Sequence, residues 1–342
     1  MKKKIILNYK EILNSMIFSI LFTILIRWMM VEIFIIPTSS MEKTLLRGDL
    51  ILASKIHYGI RTPKTLLQIP LTHQNIWNTK IKSYLKKVEI KQYKVFSFLK
   101  IKKNNQIIFN YPPEVKLPID LKTFYIKRCV GISGDIIKVN NLNIYINKKI
   151  KKNTKKKIQY KYFFKTNNKL SFYFLKKNKI SEYIKIENGY ILYTTPNTIM
   201  KLSNFIKDII ILKNKKTNPF IYPNAKIFKW NENYFGPIKI PKKKKKLIIN
   251  KKNILLYESI IIYYENNKHV LIKAGGLWIN GNKIKKYIFK KDYYFGMGDN
   301  MHNSEDSRFW GFIPENHIIG KSILIFLSIK KNKWDRVLKN IN

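Results

Sequence analysis

Residues 14–49 read NSMIFSILFTILIRWMMVEIFIIPTSSMEKTLLRGD. The apolar run at 14–36 is about the length of a bilayer span. Arg27 and Glu32 interrupt it, each costing about 2.5–3.5 kcal/mol at mid-membrane. Both lie in its C-terminal half, where a long side chain reaches the interface, and Trp28 suits an interfacial belt. No small-x-small site closes the run, since Phe34-Ile35-Ile36-Pro37 follows directly, so it reads as an anchor rather than a cleaved leader. Lys2, Lys3, Lys4 and Lys10 precede the span, whereas Glu42, Lys43, Arg47 and Asp49 balance after it. That asymmetry places the N-terminus in the cytosol and the remainder on the outer side of the membrane. The stretch at 37–49 is then a Ser-rich turn just outside a span. Taken alone it reads as a helix cap or a linker.

Downstream, short runs of Ile, Val, Tyr and Phe recur at 51–56, 107–111, 124–130, 136–139, 144–146, 261–264 and 293–297. Gly, Pro or Asn usually bounds them, as in a β-rich chain. Gly275 to Asn282 has the pattern of a strand entering an Asn-Gly turn. Lys/Asn-rich stretches at 148–157 and 242–252 read as solvated loops. The expected architecture is mainly β, with an antiparallel sheet and an inserted second β-rich lobe, preceded by one N-terminal transmembrane helix. Its divisions are a tail at 1–13, the anchor at 14–36, a core from 37–140 and 285–325, the inserted lobe at 141–284, and a C-terminal tail at 326–342.

The formal net charge of +47 invites a nucleic-acid reading. The excess is mostly Lys, spread along the whole length with abundant Asn, Ile, Tyr and Phe. An AT-biased genome produces that mixture without a polyanionic partner, so no nucleic acid is expected. Attraction to anionic lipid is a milder consequence. A single cysteine, Cys129, forbids an intrachain disulfide and a CxxC site. The five histidines do not cluster and no HExxH occurs, so neither a metal nor another cofactor is expected.

Three segments drift less toward Lys and Asn than their surroundings. They are Ile36–Asp49, Tyr125–Asp135 (YIKRCVGISGD) and Gly298–Pro314 (GDNMHNSEDSRFWGFIP). The third is dense in Asp, Asn and Ser but lacks the Gly and terminal Glu of a Ca²⁺ loop. A serine hydroxyl needs a base to become a nucleophile, and no histidine lies in the first two segments. A lysine serves if it is neutral, and burial in an apolar pocket lowers its pKa by several units. Tyr125, Ile126 and Val130 can supply such walls around Lys127.

The ordered segments, behind a single span, resemble the bacterial type I signal peptidases (leader peptidases), in particular the branch reading I-P-T-S-S-M-E-K-T-L after the anchor. The resemblance covers both ends of the chain, and Phe235 to Pro241 also fits that branch. It implies Ser40 as nucleophile and Lys127 as general base. Thr38, with the Ser40 backbone N–H, takes the oxyanion-hole position. Ser304 matches a hydroxyl that orients the lysine amine. Asp299, Asp306 and Arg308 match a supporting polar network that includes Arg128. Phe34, Ile36, Leu45, Tyr125 and Ile126 match shallow apolar subsites that admit small side chains, as in an Ala-x-Ala preference. Lys43 and His302 depart from the residues common at their positions.

The resemblance therefore implies a membrane-bound serine endopeptidase that removes signal peptides from exported preproteins through an acyl-enzyme. Its partners are those signal peptides and membrane lipid. A catalytically degenerate, membrane-tethered binding protein of the export pathway is the alternative; it predicts drift at the Ser-Lys pair, which is intact. A soluble self-cleaving repressor with the same pair should lack the anchor.

Overall fold

Ile107, Ile108 and Phe109 are consecutive and all three are buried. Successive strand residues face opposite sides of a sheet, so this strand must be covered on both faces. Ile108 joins Ile36, Met41, Leu45, Ile51, Ala53, Ile319 and Ile325 in one apolar cluster. Ile107 and Phe109 join Tyr58, Cys129, Trp310, Ile313 and Ile318 in another. The sheet between the clusters is the centre of the molecule. The computed structural model describes all residues except 1–8, 43, 66, 70, 71, 86, 87, 142, 152–159, 167, 179, 181, 204–207, 213–215, 330–333 and 342. Lys43, most of the predicted loop at 148–157 and the first eight residues thus lie outside the described residues.

Eight strands build the central sheet: β1 (Val31–Ile35), β2 (Asp49–Ser54), β3 (Gln106–Asn110), β4 (Phe124–Gly131), β5 (Tyr293–Met297), β6 (Ile313–Pro314), β7 (Ile318–Ser328) and β8 (Lys339–Asn340). The order is β1-β2-β7-β3-β4-β5-β6, with β8 on β7, and the pairings are antiparallel. β1 and β4 are four strand spacings apart, roughly 19 Å if the sheet were flat. Yet Phe34 of β1 and Phe124 of β4 meet edge to face with ring centroids 5.1 Å apart. The sheet is therefore curled, which brings β1 and β4 to opposite sides of one cleft. With 36% of residues in strands against 20% in helices, the chain is mainly β.

One N-terminal helix, α1 (Tyr9–Met29), precedes the sheet. At 1.5 Å per residue it is about 31 Å long, which matches a hydrocarbon core, and none of its residues is buried. The sequence places the apolar span at 14–36, but the helix ends at Met29 and residues 31–35 are β1. β-branched Val31 and the Ile residues serve a strand as readily as a membrane helix, so hydropathy alone does not separate them. The two charges then fall at the junction. Arg27 lies 2.9 Å from Glu32, and Lys55 from β2's far end also reaches Glu32 at 2.9 Å.

The region 141–284 divides between two packing units. Tyr160–Lys165, Glu182–Ile186, Gly189–Thr194 and Ile209–Ile211 form a four-stranded sheet over a small cluster of Phe164, Leu175, Ile180, Tyr190, Leu192 and Leu202. Phe235–Lys239, the helix Lys251–Ser259 and the strand Gly276–Ile279 instead pack with Val130, Phe295, Met297 and Phe312 of the central sheet region. The Asn-Gly hairpin is present: Gly276–Ile279 pairs with Asn282–Ile284, and Asn280 and Gly281 take φ of 52° and 81° as the tight turn requires. The run 261–264, expected as a strand, is helical. Asn250 caps the helix by accepting from Asn253 N at 2.8 Å, and a wide turn continues it to Tyr264, with Glu265 N donating to Ile260 O at 3.2 Å. A short apolar run has no period that distinguishes strand from helix; the cap upstream decides it.

Candidate active site

Ser40 follows β1 on a turn whose backbone is tied down at several points. Ile36 N donates to Asp49 O, Gly48 N to Ile36 O, and Leu45 N to Met41 O. Asp49 is fully buried; it caps Leu46 N at 2.8 Å and is held by Arg336 and by Ser328 Oγ. Lys127 sits on β4, paired with Ile107 of β3. Its amine donates to Ser40 Oγ at 2.8 Å, across 87 residues of chain.

Lys127 is 3% exposed. Burial pushes its pKa down to about 8, although the carboxylates of Asp306, Glu305 and Asp299 pull the other way. The Tyr125 ring lies 5.3 Å from the amine and forms part of the wall. A lowered pKa does not by itself mark the site: burial brings Lys122 to about 8 as well. The Lys122 amine, however, meets Pro112 O at 3.0 Å and His317 Nε2 at 3.2 Å. Lys127 differs in having a serine hydroxyl as its hydrogen-bond partner.

The third segment closes the site from β5's end. Gly298 has no room for a side chain: a Cβ there would stand 2.2 Å from Ser304 Oγ and 2.6 Å from Ser40 O. Asn300 N donates to Ser40 O at 3.0 Å. Ser304 is buried beside the pair, but its Oγ has no hydrogen-bond partner among the described residues, so the expected contact with the lysine amine is not made in this geometry. Thr38 is exposed and its hydroxyl is 3.4 Å from Ser40 Oγ, a long contact.

The expected polar network is two separate pairs. Arg128 clasps Asp299 with two bonds, of 2.7 and 2.6 Å, and also reaches Asn104 O and Thr44 Oγ1. Thr44 Oγ1 in turn donates to Asp299 at 2.6 Å. Arg308 clasps Asp306 with bonds of 2.9 Å from both Nε and a terminal nitrogen, and donates to Met301 O and Glu232 O. Asp306 also accepts from Gly298 N and, as a cap, from Arg308 N. Both pairs brace the Gly298–Asp306 loop. His302, in that loop, is kept neutral: burial, then the charges of Arg308 and Lys161, bring it to about 3. Cys129 is fully buried in the apolar cluster and burial pushes its thiol up to about 12, as expected of a packing residue.

A cleft of about 900 Å³ runs from the Ser40–Lys127 pair to Arg27 and Glu32. Of the expected subsite residues, Phe34, Ile36, Tyr125 and Ile126 line it. Leu45 does not; the turn at Met41 aims it inward and it is fully buried in the cluster behind. Sequence reasoning missed Thr44, Asn300, Asn303 and Phe124. It also missed His73 and Gln74, which line the cleft from the excursion at 62–95. Asn300 and Asn303 were within the third motif and could have been singled out by composition. Nothing in the sequence marks His73, whose ring meets Phe124 at 4.5 Å only through the fold.

Comparison with known proteins supplies the family. The model of the family described as signal peptidase, peptidase S26, matches residues 9–197 and 237–327. The signal peptidase I of Buchnera aphidicola subsp. Schizaphis graminum is 31% identical over 97% of this chain and 81% of its own. That of Buchnera aphidicola subsp. Acyrthosiphon pisum is 28% identical over 90% of this chain and 72% of its own. The signal peptidase I of Helicobacter pylori strain J99 is 22% identical over 96% and 91%. With the match spread over most of the chain and including every segment that builds the cleft, the chain belongs to the signal peptidase family, peptidase S26.

Proposed function

We propose that the chain cleaves signal peptides from exported preproteins with Ser40 as nucleophile and Lys127 as general base. The observation that carries this reading is the 2.8 Å contact between the two side chains, with the lysine desolvated. When the amine is neutral the contact reverses and the Ser40 hydroxyl donates to Nζ. Ser40 Oγ then attacks the scissile carbonyl carbon while Lys127 takes the hydroxyl proton. The oxyanion sits between Ser40 N–H and the Thr38 hydroxyl, where one donor is worth roughly 3 kcal/mol. Lys127 returns its proton to the departing amine, which leaves an acyl-enzyme. Water, deprotonated by the same lysine, releases the signal peptide. Ser304, whose hydroxyl has no partner among the described residues, turns its oxygen to accept from the ammonium while Lys127 carries the proton. Arg128–Asp299 and Asp306–Arg308 hold the loop against Ser40.

The substrate binds as an added strand. Among the described residues β1 pairs only with β2, and residues 124–127 of β4 pair only with β3, so both present unpaired edges along the cleft. Phe34, Ile36, Tyr125 and Ile126 leave shallow apolar subsites that favour small residues of the Ala-x-Ala type. The bare apolar surface of α1 supports a membrane span, with the lysine-rich N-terminus in the cytosol and the cleft on the outer side. The test is cleavage of a preprotein by the detergent-solubilised full chain. Ser40→Ala and Lys127→Ala should each lower the rate by about 10⁴-fold or more while the thermal midpoint holds. Cleavage by Ser40→Ala at the wild-type rate would falsify the mechanism.

A further inference from the structure

The inserted four-stranded sheet reaches the turn that carries Ser40. Its edge strand, Glu182–Ile186, begins with a carboxylate that accepts from Asn303 Nδ2 at 2.9 Å and from Asn300 Nδ2 at 3.4 Å. The same Asn303 Nδ2 donates its other hydrogen to Ser39 Oγ at 3.0 Å. Asn300 Nδ2 reaches Ser39 O at 3.4 Å, and Asn300 N holds Ser40 O at 3.0 Å. A second strand of the inserted sheet touches the same loop, where the Tyr160 ring faces His302 with centroids 6.0 Å apart. The sheet has its own apolar cluster, and Tyr160 and Tyr162 join it to the main core.

From this geometry we infer that Glu182 is a positioning residue for the nucleophile, acting through Asn303 and Asn300 on Ser39 and Ser40. The inference rests on Ser40 being the nucleophile. An amide nitrogen has two hydrogens. In Asn303 one is committed to Glu182 and the other to Ser39, so the carboxylate fixes the direction of the second bond. A charged acceptor makes the first bond the stronger of the two. Without Glu182 the Asn303 amide is free to turn, and the Ser39–Ser40 turn loses a restraint. The insertion thereby takes part in holding the reacting geometry, although it contributes no reacting atom.

The experiment measures kcat and KM for preprotein cleavage with the full chain in detergent, with thermal midpoints alongside. Glu182→Ala and Asn303→Ala should each lower kcat about tenfold, as a small misplacement of the nucleophile does, with KM within twofold. The double variant should be no slower than the slower single, because both remove one linkage. Glu182→Gln, whose amide oxygen still accepts, should keep most of the rate. Asn303→Asp sets two carboxylates together and should be slow, and adding Glu182→Gln should restore it; this arm decides the matter should Glu182→Ala fail to fold. Glu187→Ala, in the exposed turn after the same strand, should leave kcat unchanged. Wild-type kcat in Glu182→Ala, additive losses in the double variant, or no rescue of Asn303→Asp would overturn the proposal. Loss of activity in Ser40→Ala alongside any of these would leave the proposed nucleophile standing; full activity there would remove the nucleophile and this inference together.

Discussion

Lys127 and Arg128 are neighbours on β4, both cationic in type and both buried, yet their surroundings are opposites. The strand's alternation sends them to different sides. Arg128 meets a carboxylate with two short bonds and has a hydroxyl and a carbonyl for its remaining hydrogens. Among the described residues Lys127 meets the hydroxyl of Ser40 and an aromatic face, and the three carboxylates that act on it make no direct bond to it. Burial with a bonded counter-charge yields a fixed cation, which is scaffold. Burial without one yields an amine that can release its proton near neutral pH, which is the property a base requires.

The contrast can be broken most severely at Lys127. Lys127→Arg keeps a cation but not one that deprotonates. Preprotein cleavage should fall by about 10⁴-fold, or ~5.5 kcal/mol in barrier, as for loss of the base altogether. Appreciable activity in this variant would mean that charge, not proton transfer, is what the site needs. The other side of the strand gives the next effect. Asp299→Ala strands the buried Arg128 charge and should cost about 3–5 kcal/mol in stability, read by denaturant titration. A change below 1 kcal/mol would show that Arg128 finds water or another partner. The smallest effect is expected at Glu305, exposed at the cleft edge and bonded to Tyr111. Its negative charge favours protonated Lys127. Glu305→Gln should therefore move the midpoint of the pH–rate profile downward by a few tenths of a unit. An upward move would reverse the sign of that interaction.

Much of this arrangement was legible in residues 36–49, 125–135 and 298–314, because family motifs tie a side chain to a place on the chain. Strands at 107–111, 124–130 and 293–297 were legible from apolar runs bounded by turns, and they appear as β3, β4 and β5 within a residue or so. The junction at 29–31 was not, because Val31–Ile35 is apolar whether it crosses lipid or edges a sheet. Leu45 was assigned to the cleft by position in a motif, whereas its direction is set by the turn at Met41. Ser304 was expected to orient the lysine amine; it is buried near Ser40 without making that bond, because the rotamer of a hydroxyl is not written in sequence. Glu182 lay in a region poor in recognisable chemistry; only the packing of the inserted sheet brings it to Asn303.

The most direct test of the central claim is to follow the ionisation of Lys127 itself. In the full chain with ¹³C-labelled lysine, the Lys127 Cε resonance, assigned by its loss in Lys127→Arg, is titrated alongside kcat/KM for a preprotein. In the proposed mechanism the neutral amine is the working form, so activity should be lost as pH falls through the lysine pKa. Both curves should share a midpoint near 8, with the rate rising about tenfold per pH unit below it. A lysine that titrates above pH 10, or a rate flat from pH 6 to 9, would contradict Lys127 as the base.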